Sequence, residues 1–388
     1  MGEAPGPPAG PLTVGLLPAF GDGLGTLAES GQHARLIDGY LRPYAAAFAR
    51  CYYFSYLPER LEAFARPGAG LERVQVLGPT GRMSRGRRAL SMVRQHREAF
   101  DACRVLRVFQ LTGCLPLLLA RPRPRAPYVT TYGFWYGRLS RSPVRRLLKG
   151  PLLALALRRA AAVIATTPAL AAQARRHARR VALIPNGVDT RRFRPRPPGP
   201  RPPGWRPRVL YVGRLSPEKN LETVIVATGS VGDLPAARPR LTLAGPGPLR
   251  AELEALAGRH GVDADFRGLV GQDALPSLYA EADAFVLASF TEGHPKVLLE
   301  AMSAGLPCVV AANEGTRSLV TDGETGLLFD ARQPGQLAAG LRRVLGDPEL
   351  AARLGRAARA RIVADYDLGA LVAREIALLR EVAAEAEE

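Results

Sequence analysis

Residues 283–312, DAFVLASFTEGHPKVLLEAMSAGLPCVVAA, constrain the fold more than any other stretch of the chain. A short apolar strand, DAFVLAS, leads into a loop carrying Glu292. A helix is expected to start near Pro295, to carry Glu300 one turn in, and to stop at Gly305-Leu306-Pro307, where the apolar strand CVVAA follows at once. Pro295 suits an early helical position, where a missing N–H costs nothing, and Gly305 suits the helix end. The small residues Ala301, Ser303 and Ala304 let this helix lie close to the strands. Strand, helix and strand in such quick succession form a parallel α/β unit. The free N–H groups of the helix's first turn then sit at the carboxyl edge of the sheet, where such folds receive anionic ligands.

VLYVGRLSPEKN (209–220) repeats the theme. A strand ends at Gly213, Ser216 is placed to cap a helix, and Pro217 is placed at its first position. Arg214 and Lys219 flank the turn, so two cations and a helix start could converge on one diphosphate. Only three lysines occur among 53 basic residues, Lys149, Lys219 and Lys296, and two of them fall in these two stretches.

E-G-H-P-K-V-L-L-E-A-M-S-A-G-L-P resembles the E-x7-E signature of retaining nucleotide-sugar glycosyltransferases with two Rossmann-like domains, family 4 of the GT-B class. G-R-L-S-P-E-K-N matches the same family's G-R-L-x3-K-N motif, and I-P-N-G-V-D-x3-F (184–193) resembles the segment closing its first domain. The resemblance implies that Glu292 lies beside the donor sugar, with the backbone of Gly293, His294, Pro295 and Lys296 around it. It implies that Glu300 holds the nucleotide ribose and that Gly213, Arg214 and Lys219 serve the diphosphate. Gly268, Leu269 and Val270 would border the base. In the first half only Gly31 matches the family's glycine pair, and Tyr132 stands where members commonly place a histidine. Ser318 stands where a glutamate is usual. The latter two departures leave open a nucleotide-sugar-binding protein without catalysis.

The net charge of +18 is unevenly spread. Residues 1–192 carry 30 Lys and Arg against 10 Asp and Glu, whereas residues 208–388 carry 19 against 25. An arginine-rich composition explains the choice of Arg over Lys but not this asymmetry. The first half is therefore expected to face an anionic partner. GRMSRGRRALSMVRQHREAF (81–100) has helical spacing in Leu90, Val93, Arg97 and Phe100. Two readings stay open: a solvated helix with an apolar stripe, or a basic amphipathic helix on anionic lipid headgroups, joined by the arginines of 138–146. Nucleic acid is the weakest partner, because stacking aromatics are not interleaved with the basic residues.

No apolar run reaches the length of a membrane span, and the first residues, MGEAPGPPAGP, lack the features of a signal peptide. Cys51, Cys103, Cys114 and Cys308 show no C-x-x-C spacing and read as buried thiols of a cytoplasmic protein. Two D-x-D strings, Asp263-Ala264-Asp265 and Asp365-Tyr366-Asp367, mimic a metal-holding motif. One begins a strand and the other the terminal helix, so neither is assigned a metal.

The chain is thus expected to be α/β, with two Rossmann-like domains facing across a cleft in the GT-B manner. Residues 1–192 would bind the acceptor, and the Pro-rich segment 193–207 would act as linker. Residues 208–365 would bind the nucleotide-sugar, and the terminal helix within 366–388 would cross back to the first domain. The expected activity is retaining glycosyl transfer from a nucleoside-diphosphate sugar, without cofactor or metal. The acceptor would be lipid-linked or otherwise anionic, with the protein on the inner face of the membrane.

Overall fold

Apolar runs that alternate with helical segments leave the central strands buried on both faces, and such strands pair in parallel. The computed structural model describes residues 12–29, 31–65, 70–81, 83–133, 143–196, 206–232 and 238–386, without the side chains of Arg85 and 143–150. Arg138, Arg141, the side chains of Arg145 and Arg146, and the middle of the Pro-rich segment lie outside the description.

Two compact units divide the chain: residues 1–185 with 369–388, and residues 186–368. The first holds a parallel sheet of β1 (Thr13–Leu17), β2 (Arg50–Phe54), β3 (Val74–Leu77), β4 (Val105–Val108), β5 (Tyr128–Tyr132), β6 (Ala162–Ala165) and β7 (Val181–Leu183). Its strand order is β3-β2-β1-β4-β5-β6-β7. The second holds β8 (Arg208–Val212), β9 (Arg240–Ala244), β10 (Ala264–Gly268), β11 (Ala284–Leu287), β12 (Cys308–Ala311) and β13 (Leu327–Phe329), in the order β10-β9-β8-β11-β12-β13. Each sheet therefore reverses its order once, between β1 and β4 and between β8 and β11. Ligands of open α/β sheets bind outside the carboxyl ends of strands at such a switch.

The division falls at Pro185/Asn186, before the Pro-rich segment expected to separate the domains. Residues 186–193 already pack with the second unit. Thr190 donates to Asp367 at 2.6 Å, the Phe193 carbonyl accepts from Ser303 Oγ at 2.6 Å, and the Phe193 ring is buried in that unit's core. The terminal helix Leu368–Glu385 belongs to the first unit from Gly369 onward. There Glu375 accepts from Arg107 Nε at 2.6 Å and from the Tyr44 hydroxyl, with both members of the ion pair almost fully buried.

Between His33 and Ala47 the helix is interrupted by a π turn at Ile37–Leu41, next to Pro43, which has no N–H to continue an α ladder. Two local expectations change. The expected helix 81–100 begins after the cap Ser84 and breaks at His96, whose Nε2 lies 2.9 Å from the Gly78 carbonyl. The helix expected at Pro217 is a single 3₁₀ turn, Pro217–Lys219, and the α-helix starts at Leu221.

Removing one partner of a buried ion pair leaves the other charged and uncompensated. Glu375→Ala should therefore destabilise the chain by about 3–5 kcal/mol in urea unfolding, whereas Arg107→Met with Glu375→Leu should recover most of that loss. A cost below about 1 kcal/mol for Glu375→Ala would show that Arg107 is neutralised by other groups.

Candidate functional site

The loops leaving β8 and β11 meet at the switch point of the second sheet. The first carries Gly213, Arg214 and Lys219, and the second carries Glu292 to Lys296. Glycines set how closely they approach. Gly213 adopts φ +153°, and a β-carbon there would sit 2.6 Å from the Tyr211 hydroxyl. At Gly245 (φ +148°) a β-carbon would meet the Gly213 carbonyl at 1.9 Å, and at Gly315 one would meet the carbonyls of Glu292 and Gly293 at 2.6 and 2.7 Å. Backbone thus rests directly on backbone on both sides of the switch point. Leu215 N–H donates to the Pro246 carbonyl at 2.9 Å, and Phe290 N–H donates to the Glu218 carbonyl at 3.1 Å.

This packing brings Lys219 Nζ to 2.7 Å from Glu292 Oε1. Their side chains are 21% and 12% exposed, so solvent screens the pair only in part. Lys219 is aimed by its neighbour Asn220, which adopts the left-handed conformation (φ 54°). The buried Asn220 amide donates to the carbonyls of Ala288 (3.3 Å) and Ala331 (2.8 Å), while its oxygen accepts from Thr223 Oγ1 at 2.9 Å. Asn220 also occupies the N-cap position of the helix Leu221–Gly229, without a side-chain bond to that helix's free N–H groups, one turn later than the cap expected at Ser216. Ser216 instead donates to the Glu218 carboxylate at 2.6 Å, and that bond, more than any other influence, lowers the Glu218 pKa. Arg214 is exposed, and its carbonyl accepts from the Tyr211 hydroxyl at 2.9 Å.

The helix after Glu292 spans Lys296–Ser303. Pro295 is its N-cap rather than its first helical residue: the Pro295 backbone is extended, and its carbonyl accepts from Leu298 and Leu299 at 3.1 and 3.3 Å. The end is a Schellman motif, with Gly305 N–H on Met302 and Leu306 N–H on Ala301 around Gly305 at φ +70°. Glu300 is buried on this helix and accepts from Tyr279 Oη at 2.9 Å. Burial, and after it the Glu300 charge, hold the Tyr279 phenol well above its ordinary pKa, so it remains a donor. The His294 carbonyl accepts from Asn186 Nδ2 at 3.4 Å, and the His294 ring lies 5.6 Å from that of Tyr366. Gly268 ends β10 at φ +63°, followed by the exposed Leu269 and the half-buried Val270.

In the first unit the glycine-rich loop after β1 is already occupied. Glu59 accepts from the amides of Leu24 (2.7 Å) and Gly25 (2.8 Å) and from Ser55 Oγ (2.6 Å). Gly31, at φ +69°, closes the helix Leu24–Glu29, with its N–H on the Ala28 carbonyl at 2.9 Å. Tyr132 ends β5 with its ring 5% exposed in the core, and burial raises its pKa. Both residues therefore have structural tasks at these positions. Ser318 Oγ donates to the Gly315 carbonyl at 2.7 Å. Three of the four aspartates of the D-x-D strings are likewise engaged: Asp263 by Arg206 (2.9 Å), Asp265 by Arg267 (2.6 Å) and Asp367 by Thr190.

Comparison with known proteins agrees with this fold. Residues 198–361 match the family described as glycosyl transferases group 1, and residues 50–192 match Glycosyltransferase Family 4. A glycogen synthase of Mycobacterium tuberculosis is 37% identical over 199 residues, 48% of this chain and 45% of that protein. A GDP-mannose-dependent alpha-(1-6)-phosphatidylinositol monomannoside mannosyltransferase of the same species is 32% identical over 217 residues, 51% of this chain and 55% of that protein. The chain thus spans about half the length of the curated relatives it matches. The structure of Anabaena Alr3699/HepE in complex with UDP and glucose superposes with a TM-score of 0.74 at 20% identity, over 95% of this chain and 100% of that one. The sucrose-phosphate synthase of Thermosynechococcus elongatus gives 0.73 at 23% identity, over 96% and 100%. At these identities the likeness establishes the fold.

Gly315→Ala tests the close packing. The added methyl must displace the Glu292–Gly293 backbone, at a cost of about 1–3 kcal/mol. Thermal melting should fall accordingly. Unchanged melting would show that the Glu292 loop does not depend on this contact.

Proposed function

The chain belongs to the family 4 glycosyltransferases of the GT-B fold, and from that premise we propose that it transfers a sugar from a nucleoside-diphosphate donor with retention at the anomeric carbon. The observation that carries this reading is the meeting of Lys219 and Glu292, one cation and one carboxylate, at the switch point of the second sheet. Transfer breaks the bond between the anomeric carbon and the diphosphate oxygen and joins that carbon to an acceptor hydroxyl, whose proton leaves with the diphosphate. The leaving group needs positive charge, and Arg214 and Lys219 supply it. The sugar becomes partly cationic, and Glu292 with the backbone of Gly293–Lys296 faces it. Buried Glu300, held by Tyr279, is suited to a bidentate grip on the ribose hydroxyls. No side chain is assigned as nucleophile and no metal is required, since the two cations take the role a metal would have.

We read the acceptor as anionic or lipid-linked. The first unit carries 30 Lys and Arg against 14 Asp and Glu, net +16, while the second is near neutral at +2. One relative is named for a phosphatidylinositol monomannoside, an acceptor with a phosphate. Among the described residues no helix is long and apolar enough to cross a membrane. The charge excess of the first unit supports a place for the enzyme in the cytoplasm, at the inner membrane surface.

Release of nucleoside diphosphate from a panel of UDP-, GDP- and ADP-sugars separates an enzyme from a silent binding protein. One donor should be cleaved, with EDTA present or absent. Glu292→Gln should lower turnover by 10²-fold or more, the scale of a lost electrostatic contact in the transition state, with nucleotide binding retained. Glu300→Gln should weaken nucleotide binding itself. Binding without cleavage for every donor would favour the non-catalytic protein, and a strict Mg²⁺ requirement would overturn the metal-free mechanism.

A further inference from the structure

In the first unit the helix Arg85–Gln95 packs beside the short helix Leu115–Leu119, and a groove of about 720 Å³ opens along their junction. Arg87, Leu90 and Arg94 follow one another along the first helix at intervals of three or four residues, so they share one helical face, with Met83 and Arg97 lining the groove just beyond its two ends. Leu90 is 59% exposed and Leu119, across the groove, is 41% exposed. Arg87 and Arg94 are exposed on either side of Leu90. Arg97 and Arg121 close the rim, the first held by Asp101 at 2.6 Å and the second by the Ala120 carbonyl at 2.8 Å. No Asp or Glu lines the groove among the described residues.

Bulky apolar side chains alternating with cations on one exposed face fit a surface that is apolar within and negative outside. We propose that this groove seats the protein on an anionic phospholipid leaflet, with Leu90 and Leu119 entering the acyl boundary and Arg87 and Arg94 meeting headgroup phosphates. The proposal rests on the reading of a membrane-held acceptor, and it narrows the basic stretch 81–100 to particular side chains. Arg88 is not among them, because its guanidinium turns inward to donate to the Tyr56 carbonyl at 2.8 Å.

The test is sedimentation with vesicles of phosphatidylglycerol and phosphatidylcholine, and with phosphatidylcholine alone, at low and high salt. Wild type should bind only the acidic vesicles and keep part of that binding in high salt. Arg87→Gln with Arg94→Gln should lower partition about thirtyfold, two charges at the usual contribution of a basic residue near a leaflet. Leu90→Ser with Leu119→Ser should remove the salt-resistant part. Arg88→Gln, by contrast, should bind as wild type does. No binding to acidic vesicles, or binding indifferent to both pairs of substitutions, would overturn the proposal. A dimer in solution that the serine pair dissolves, without vesicle binding, would assign the groove to a second copy of the chain instead. Donor cleavage without vesicles, measured on the same preparations, should be unchanged in the variants. Its absence from wild type alongside vesicle binding would sink the transferase reading and leave the groove standing.

Discussion

Direct contact of backbone with backbone at Gly213, Gly245 and Gly315 is the constraint on which the second unit's chemistry rests. Any side chain at Gly245 or Gly315 would push a neighbouring carbonyl out of place. The loops after β8 and β11 therefore have one close arrangement, and it sets Lys219 against Glu292. The sheet order makes that arrangement useful, because the loops leave adjacent strands at the point where the order reverses. Asn220 and Tyr279 complete it from below, the first fixing the backbone next to Lys219 and the second fixing the carboxylate of Glu300.

The first unit follows the same topology with different contents. Its switch point is closed: a β-carbon on Gly113 would meet the Pro18 carbonyl at 2.1 Å, and Glu59 takes the amides at the start of the helix Leu24–Glu29. An internal carboxylate thus stands where an anionic ligand would otherwise find free N–H groups. The excess positive charge of this unit is spread over its surface arginines. One exception is Arg107, buried on β4 and neutralised by Glu375 of the terminal helix.

Much of this was legible in the sequence, for physical reasons that differ by feature. The strands could be read because buried parallel strands are continuous apolar runs, as in Ala284–Leu287 and Cys308–Ala311. The loop residues Arg214, Lys219 and Glu292 could be singled out because they sit in motifs whose turn chemistry is local. What could not be read depends on distant partners. Asn220 stands in the G-R-L-x3-K-N motif, but its left-handed backbone is fixed by carbonyls 68 and 111 residues away. Tyr279 carries no local signal, since only the fold brings it to Glu300. Helix starts moved for the same reason, at Leu221 because Asn220 is anchored from outside and at Lys296 because Pro295 takes an extended backbone. Spacing placed Arg87 and Arg88 in one basic helix, and only the structure shows that they point to different surroundings.

The role proposed for Lys219 requires it to exchange the Glu292 carboxylate for the diphosphate of the donor. Calorimetric titration of sugar-free UDP, GDP and ADP into wild type, Lys219→Gln, Glu292→Gln and the double variant measures that exchange. For the diphosphate that binds best, Lys219→Gln should lose about 1.5–3 kcal/mol, the scale of a charge-assisted contact. Glu292→Gln should bind the same diphosphate more tightly than wild type, because a competing negative charge beside the lysine is gone, and the double variant should resemble Lys219→Gln. A Glu292→Gln variant that loses diphosphate affinity as severely as Lys219→Gln would contradict the exchange and make the ion pair a structural brace.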